Sequence, residues 1–145
     1  MILPSKKEYY LNIAYEVAKR GTCIRRNYGS VIVQNDQIVG TGYTGAPRGQ
    51  KNCCDIGTCI RNTKNIPSGE RYEECRSCHS EWNAVINAGR EKCINGVLYL
   101  VGIEMSNDQK ISVEPCLICK KIIINAGLCR VVIPDRIINP NEWVI

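Results

Sequence analysis

A chain of 145 residues with 44% apolar residues and a net charge of +5 has room for one domain (residues 1–145) with a real core, and not for two ordinary ones. No apolar run approaches the ~18 residues of a membrane helix. The stretch from Met1 to Glu8 lacks the apolar segment of a secretory signal, so no membrane association and a cytoplasmic location are expected. The positive charge suits a phosphate-bearing ligand, yet no Lys/Arg run or basic stripe marks a nucleic-acid partner.

Residues 5–20 place Tyr10, Ile13, Ala14 and Val17 on one helical face, with Gly21 as a stop. Residues 30–34 read as a buried strand, 35–37 as a turn and 38–43 as the return strand of a hairpin. From Thr44 to Cys78 no periodicity holds; five of the ten cysteines fall there, and they offer a pin for so long a loop. Helical character resumes over 80–91, with Trp82, Val85, Ile86 and Gly89 on one face. Residues 96–101 form a strand. Residues 116–126 form a helix opened by Pro115 and closed by Gly127. Residues 130–133 form the next strand, and the last residues, through Trp143, offer a short edge strand. Strand–helix–strand units in the second half favour parallel pairing there, joined to an antiparallel hairpin. The expected fold class is α/β: a three-layer α/β/α sandwich with a mixed central sheet.

Ten cysteines would mark a disulfide framework in a secreted chain; in the cytosol, clustered thiols point to metal. Their spacing makes the choice. His79-Ser80-Glu81 precedes one predicted helix and Pro115-Cys116-Leu117-Ile118-Cys119 opens another. Together they form H-x-E…P-C-x-x-C, the pattern of zinc-dependent base deaminases. Cys116 and Cys119, three apart in a first helical turn, face the same side. Free backbone N–H groups at that helix start favour thiolates, the form that zinc binds.

His79 supplies a third ligand. Three protein ligands leave the fourth position of zinc for water, the mark of a catalytic site. Glu81, beside the metal and not needed as a ligand, is placed to take the proton of a zinc-activated water and to pass protons on to a base and its departing amine. Either half alone is weak, since H-x-E arises by chance and C-x-x-C also serves redox or structural zinc sites. The competing reading is a closed zinc site or inert thiols.

With these residues in hand, the sequence resembles the deoxycytidylate (dCMP) deaminase family of the cytidine deaminase-like superfamily. The likeness runs through residues 22–33, the glycine-rich segment 42–49, the run 69–81 into the first motif, and Asn83-Ala84 after it. It implies hydrolysis of dCMP to dUMP and ammonia, with a catalytic zinc and Glu81 as proton shuttle. It also implies a glycine-rich loop that approaches a sugar phosphate, with Arg26 and Arg48 as candidates for the 5′-phosphate because guanidinium suits phosphate geometry. The Ser80 backbone N–H would hold the base carbonyl, with serine where alanine is more usual. Thr44 stands at a sugar-binding place where the family loop often has asparagine. Trp82 is read as packing.

Some family members carry a second, structural zinc. The resemblance places Cys23 and Cys53 among its ligands, with Cys59 and Cys75 to complete a four-sulfur site and Cys54 or Cys78 as substitutes. Cys93 and Cys129 are read as small buried hydrophobes. The family usually assembles, so a homo-oligomer is expected. Other enzymes on this pattern act on cytidine, guanine or adenosine in tRNA. A different class is a non-catalytic zinc-binding or DNA-handling module, for which Glu81 would be superfluous.

Overall fold

The computed structural model describes residues 1–145. Helix α1 (Lys6–Lys19) starts from a capping box, in which the Ser5 hydroxyl accepts from the Glu8 N–H while the Glu8 carboxylate accepts from the Ser5 N–H. Strands β1 (Arg26–Gln34) and β2 (Gln37–Tyr43) form an antiparallel hairpin. Its two turn residues, Asn35 and Asp36, both have positive φ (52° and 58°), the geometry that matches the twist of paired strands. Two short helices follow, α2 (Cys53–Ile56) and α3 (Ile60–Thr63), then a 3₁₀ turn at Tyr72–Glu74. Beyond them come α4 (Ser80–Ala88), α5 (Arg90–Cys93), β3 (Val97–Glu104), β4 (Gln109–Ile111), α6 (Leu117–Ala126), β5 (Arg130–Val132) and β6 (Ile137–Ile138).

The sheet runs β2-β1-β3-β5-β6, with β4 paired to β3. Strands β3 and β5 are parallel and every other pairing is antiparallel, so the expected mixed sheet is present. Alternation along the strands feeds two cores. Val31, Val33, Tyr99 and Val101 meet α1 through Tyr10, Leu11, Ala14 and Ala18. Ile32, Leu98, Leu100 and Val131 meet α4 and α6 through Ala84, Cys119 and Ile123. Helices therefore cover both faces of the sheet. No helix is long and apolar enough to cross a membrane.

Four sequence expectations shift. The buried stripe of α4 is Ser80, Glu81 and Ala84, and Ile86 is 75% exposed. The cause lies in β2: a Cβ on Gly42 would sit 2.3 Å from the Ala84 nitrogen and the Ser80 carbonyl, and one on Gly40 would sit 2.7 Å from Ala84's neighbour down the helix, the Ala88 Cβ. Helix α4 lies directly on these glycines with its smallest side chains. Second, the stretch 44–78 contains α2 and α3, each too short to show a helical period.

That stretch is pinned by polar groups as well. Buried Arg61 donates to the carbonyls of Pro67, Glu70 and Arg71, and Asn52 Oδ1 accepts from Thr22 Oγ1 and the Ala46 N–H. Third, β1 begins at Arg26, four residues earlier than expected, and β4 extends the sheet beyond β3. Fourth, the C-terminal edge strand is β6; Pro140 opens a 3₁₀ turn after it, and Trp143 packs against the core.

Candidate active site

Two helix starts and the sheet edge between them build the site. His79 is the N-cap of α4 and Cys116 the N-cap of α6, with Cys119 one turn into α6. An isolated bridge between Gly45 and Cys78 (N···O 2.7 and 3.4 Å) fixes the chain just ahead of His79. His79 Nδ1 lies 3.2 Å from Cys119 Sγ and 3.6 Å from Cys116 Sγ, and the sulfurs are 3.4 Å apart. Zinc bonds of about 2.3 Å to sulfur and 2.0–2.1 Å to nitrogen set tetrahedral edges of roughly 3.5–3.8 Å. The three observed edges agree with these to about 0.4 Å. One imidazole and two thiols are also the chemistry that zinc selects. The residues fit the metal.

The two thiols are unlike. The hydrogen bond from Cys119 pulls Cys116 down to about 4, and His79 adds to the effect against the opposing cost of burial. The same bond drives Cys119 upward, as do its burial and the nearby Glu81 carboxylate. A divalent cation between the sulfurs favours the thiolate of both.

The imidazole is held between aromatic rings. Trp82 stacks on its face, with centroids 4.3 Å apart and planes 4° from parallel, and Tyr72 meets its edge at 5.4 Å and 79°. Trp82 packs against the core as expected, but its buried Nε1–H has no partner. The ring face is what the fold uses at this position.

A cavity of about 340 Å³ opens beside this group, and His79, Glu81 and Cys116 are among the residues that line it. Glu81 is 5% exposed and accepts a hydrogen bond from Ser80 Oγ at 3.0 Å. Arg26 and Thr44 also line the cavity. Arg26 Nε is paired with Glu104 at 2.6 Å, and the Thr44 hydroxyl accepts from the Tyr28 N–H at 2.9 Å. Arg48 and Ser80 are not among the lining residues: Arg48 reaches Asn87 Oδ1 at 3.3 Å, and Ser80 is fully buried.

Sequence reasoning missed Arg25, Tyr28 and Tyr72, which line the same space. Tyr28 was legible in principle. Extending β1 to Arg26 puts Arg26, Tyr28 and Ser30 on one face by strict alternation. The ring of Tyr28 is accommodated by Gly102, where a Cβ would lie 2.9 Å from it.

Cys23, Cys59 and Cys75 also line the cavity, and Cys53 is buried without lining it. Burial pushes the Cys53 thiol up, and neighbouring Cys23, Cys75 and Cys59 add to the rise. At Cys59 burial also pushes upward, but the N–H groups of Asn62 and Arg61 and the Arg25 guanidinium together bring the thiol down. The four sulfurs are neighbours without being drawn to ligand spacing. Only His79, Cys116 and Cys119 bring metal-binding atoms within 4.8 Å of one another.

A mixed sheet between helices, with a His–Cys–Cys triangle at two helix starts, is the architecture of the cytidine deaminase class. The fold matches a dCMP deaminase from the cyanophage S-TIM5 in apo form, with a TM-score of 0.62, 24% identity, and 91% of this chain and 84% of that one covered. It also matches cytidine deaminase from Mycobacterium tuberculosis, with a TM-score of 0.56 and 12% identity over 96% and 94% of the two chains. The profile of the cytidine and deoxycytidylate deaminase zinc-binding region matches residues 4–134. A deoxycytidylate deaminase of Mycobacterium phage D29 is 34% identical over 141 residues, 94% of this chain and 99% of the relative. One from Schizosaccharomyces pombe is 35% identical over 130 residues, 89% of this chain, and here the chain spans only 37% of the relative's length. The chain belongs to the cytidine and deoxycytidylate deaminase family.

Proposed function

We propose that this chain hydrolyses the exocyclic amine of dCMP, giving dUMP and ammonia. The carrying observation is the His79–Cys116–Cys119 triangle with the nearly buried Glu81 carboxylate on the wall of the same cavity. In this reading His79, Cys116 and Cys119 hold a zinc ion, which when bound supplies the Lewis acidity that makes water nucleophilic near neutral pH. Glu81 moves the protons. Its carboxylate takes one proton from the attacking water and delivers it to ring nitrogen 3, then takes the second from the new hydroxyl on carbon 4 and delivers it to the amine as the bond to carbon 4 breaks. The low exposure of Glu81 excludes bulk water, which would compete for those protons.

Phosphate recognition falls to Arg26 on the cavity wall, with Arg25 beside it, because both residues line the cavity and guanidinium suits phosphate geometry. Arg48 lies outside that wall and has no part in this reading. Thr44 bounds the cavity at the sugar, with its hydroxyl already engaged by β1. A second, structural zinc on Cys23, Cys53, Cys59 and Cys75 belongs to the same reading, supported by the mutual approach of these thiols around Cys53. So does a homo-oligomer, supported by exposed Ile86, Leu117 and Ile118 on α4 and α6.

The test is ammonia release from the zinc-loaded chain with dCMP, deoxycytidine, cytidine, guanine and tRNA. Turnover is expected with dCMP, and Glu81→Gln should keep its zinc while losing turnover. A preference for cytidine would sink the phosphate assignment. Zinc-loaded protein inactive on every substrate, or an active Glu81→Gln, would sink the mechanism.

A further inference from the structure

We propose that Ser30 and Ser80 form a closed hydrogen-bond chain that orients the Glu81 carboxylate, which makes Ser80 a positioning residue for the proton-transfer step. The inference rests on the deaminase reading above and goes beyond it, since neither hydroxyl faces the cavity.

Ser80 Oγ lies 3.0 Å from Glu81 Oε1 and 2.8 Å from Ser30 Oγ. The Ser80 hydroxyl has a single proton, and it is donated to Glu81 Oε1. Ser30 must then donate to Ser80. The chain has one polarity, Ser30 to Ser80 to Glu81. Each donation polarises the next, and the last, onto a charged acceptor, is the strongest.

Burial makes the chain consequential. Ser30 and Ser80 are both 0% exposed and Glu81 is 5% exposed, so water does not compete for either serine hydroxyl. Ser30 sits inside β1, paired to Gly42 of β2 on one side and Leu100 of β3 on the other, so strands flank it on both sides. Ser80 is the first residue of α4, held against Gly42 so closely that a Cβ there would lie 2.3 Å from the Ser80 carbonyl. A carboxylate on a flexible two-methylene stem is thus tied through two short side chains to the centre of the sheet.

The chain orients and does not conduct. No further side-chain partner continues from Ser30, so a proton has nowhere to go beyond it. Its effect belongs in the geometry of Glu81 when the proton moves, a contribution to kcat and not to substrate binding.

The experiment is a double-variant cycle on zinc-loaded protein with dCMP, recording kcat, KM, zinc per chain and the thermal midpoint. Ser80→Ala should lower kcat about tenfold, the scale of a lost charge-assisted hydrogen bond, with KM within about twofold and zinc unchanged. Ser30→Ala should lower kcat about threefold. Because Ser30 acts through Ser80, the double variant should be no slower than Ser80→Ala alone. Wild-type kcat in Ser30→Ala, or losses that multiply in the double variant, would overturn the chain. If Ser80→Ala loses zinc or fails to fold, Ser30→Ala decides alone by the same criterion. A wild-type protein inactive on every substrate overturns the parent reading and this one together. An active wild type with unaffected variants overturns this one only.

Discussion

His79 meets Cys119 across 40 residues of sequence and Cys116 across 37, and the three ligand atoms already stand at metal spacing. Cys23, Cys59 and Cys75 line the same cavity, with Cys53 near them, and the four stop short of that spacing. The difference lies in what carries each set. The first occupies the starts of α4 and α6, helices of nine and ten residues packed on the sheet through a shared core. The second hangs on a loop and on the edges of α2 and α3, each of four residues. Helical pitch fixes two sulfurs three residues apart before any metal arrives. Loop cysteines carry no such guarantee, and a cation binding there must also order the backbone that presents it.

The largest effect that should separate the two regions comes from Cys119→Ser. Zinc per chain should fall by one and turnover should drop to background, read by metal analysis beside the ammonia assay. Retained activity would make the preformed triangle irrelevant. The Cys53→Ser/Cys59→Ser double variant should also lose one zinc per chain, but here the main cost falls on folding. A bound metal worth ~3 kcal/mol at this chain length corresponds to a midpoint lowered by roughly 5–10 °C. A wild-type chain holding only one zinc would reject the second site and leave the contrast sharper still.

A smaller effect tests why the first region is so well defined. Metal-bound histidine is usually steered by a hydrogen bond on its other nitrogen, and loss of such support typically costs 10–100-fold in metal affinity. Here the Trp82 face supplies the steering. Trp82→Leu should therefore weaken zinc about tenfold in a chelator competition. Trp82→Phe should bind as wild type, and its midpoint should hold or rise because the unpartnered Nε1–H is gone. Equal affinity in the leucine variant would reduce Trp82 to packing alone.

How much of this was legible beforehand follows the same divide. The layered fold, the parallel pairing of β3 with β5 and the helix stop at Gly127 were readable, because periodicity and chain breakers act locally. The cysteine pair of the metal triangle was readable for a related reason, since its spacing follows helical pitch, while His79 was readable only from its motif, because tertiary packing brings it to the pair. The buried face of α4 was misjudged. Hydrophobicity pointed to Ile86, while the glycines of β2 selected Ala84 and Ala88 by proximity. The polar staple of Arg61 was hidden because its acceptors are main-chain carbonyls that any sequence would offer. Arg48 was read as a phosphate candidate by residue type and loop position, and its 3.3 Å contact with Asn87 Oδ1 is one that no sequence pattern announces.

The seam between β2 and α4 has a consequence for how this protein tolerates change. Gly40 and Gly42 touch no reacting atom, yet any side chain there must lift the helix that carries His79, Ser80 and Glu81. Under selection for activity these two glycines would be as unforgiving as the metal ligands. Tolerance to change is therefore limited at two positions of β2 that perform no chemistry themselves but seat the helix that does.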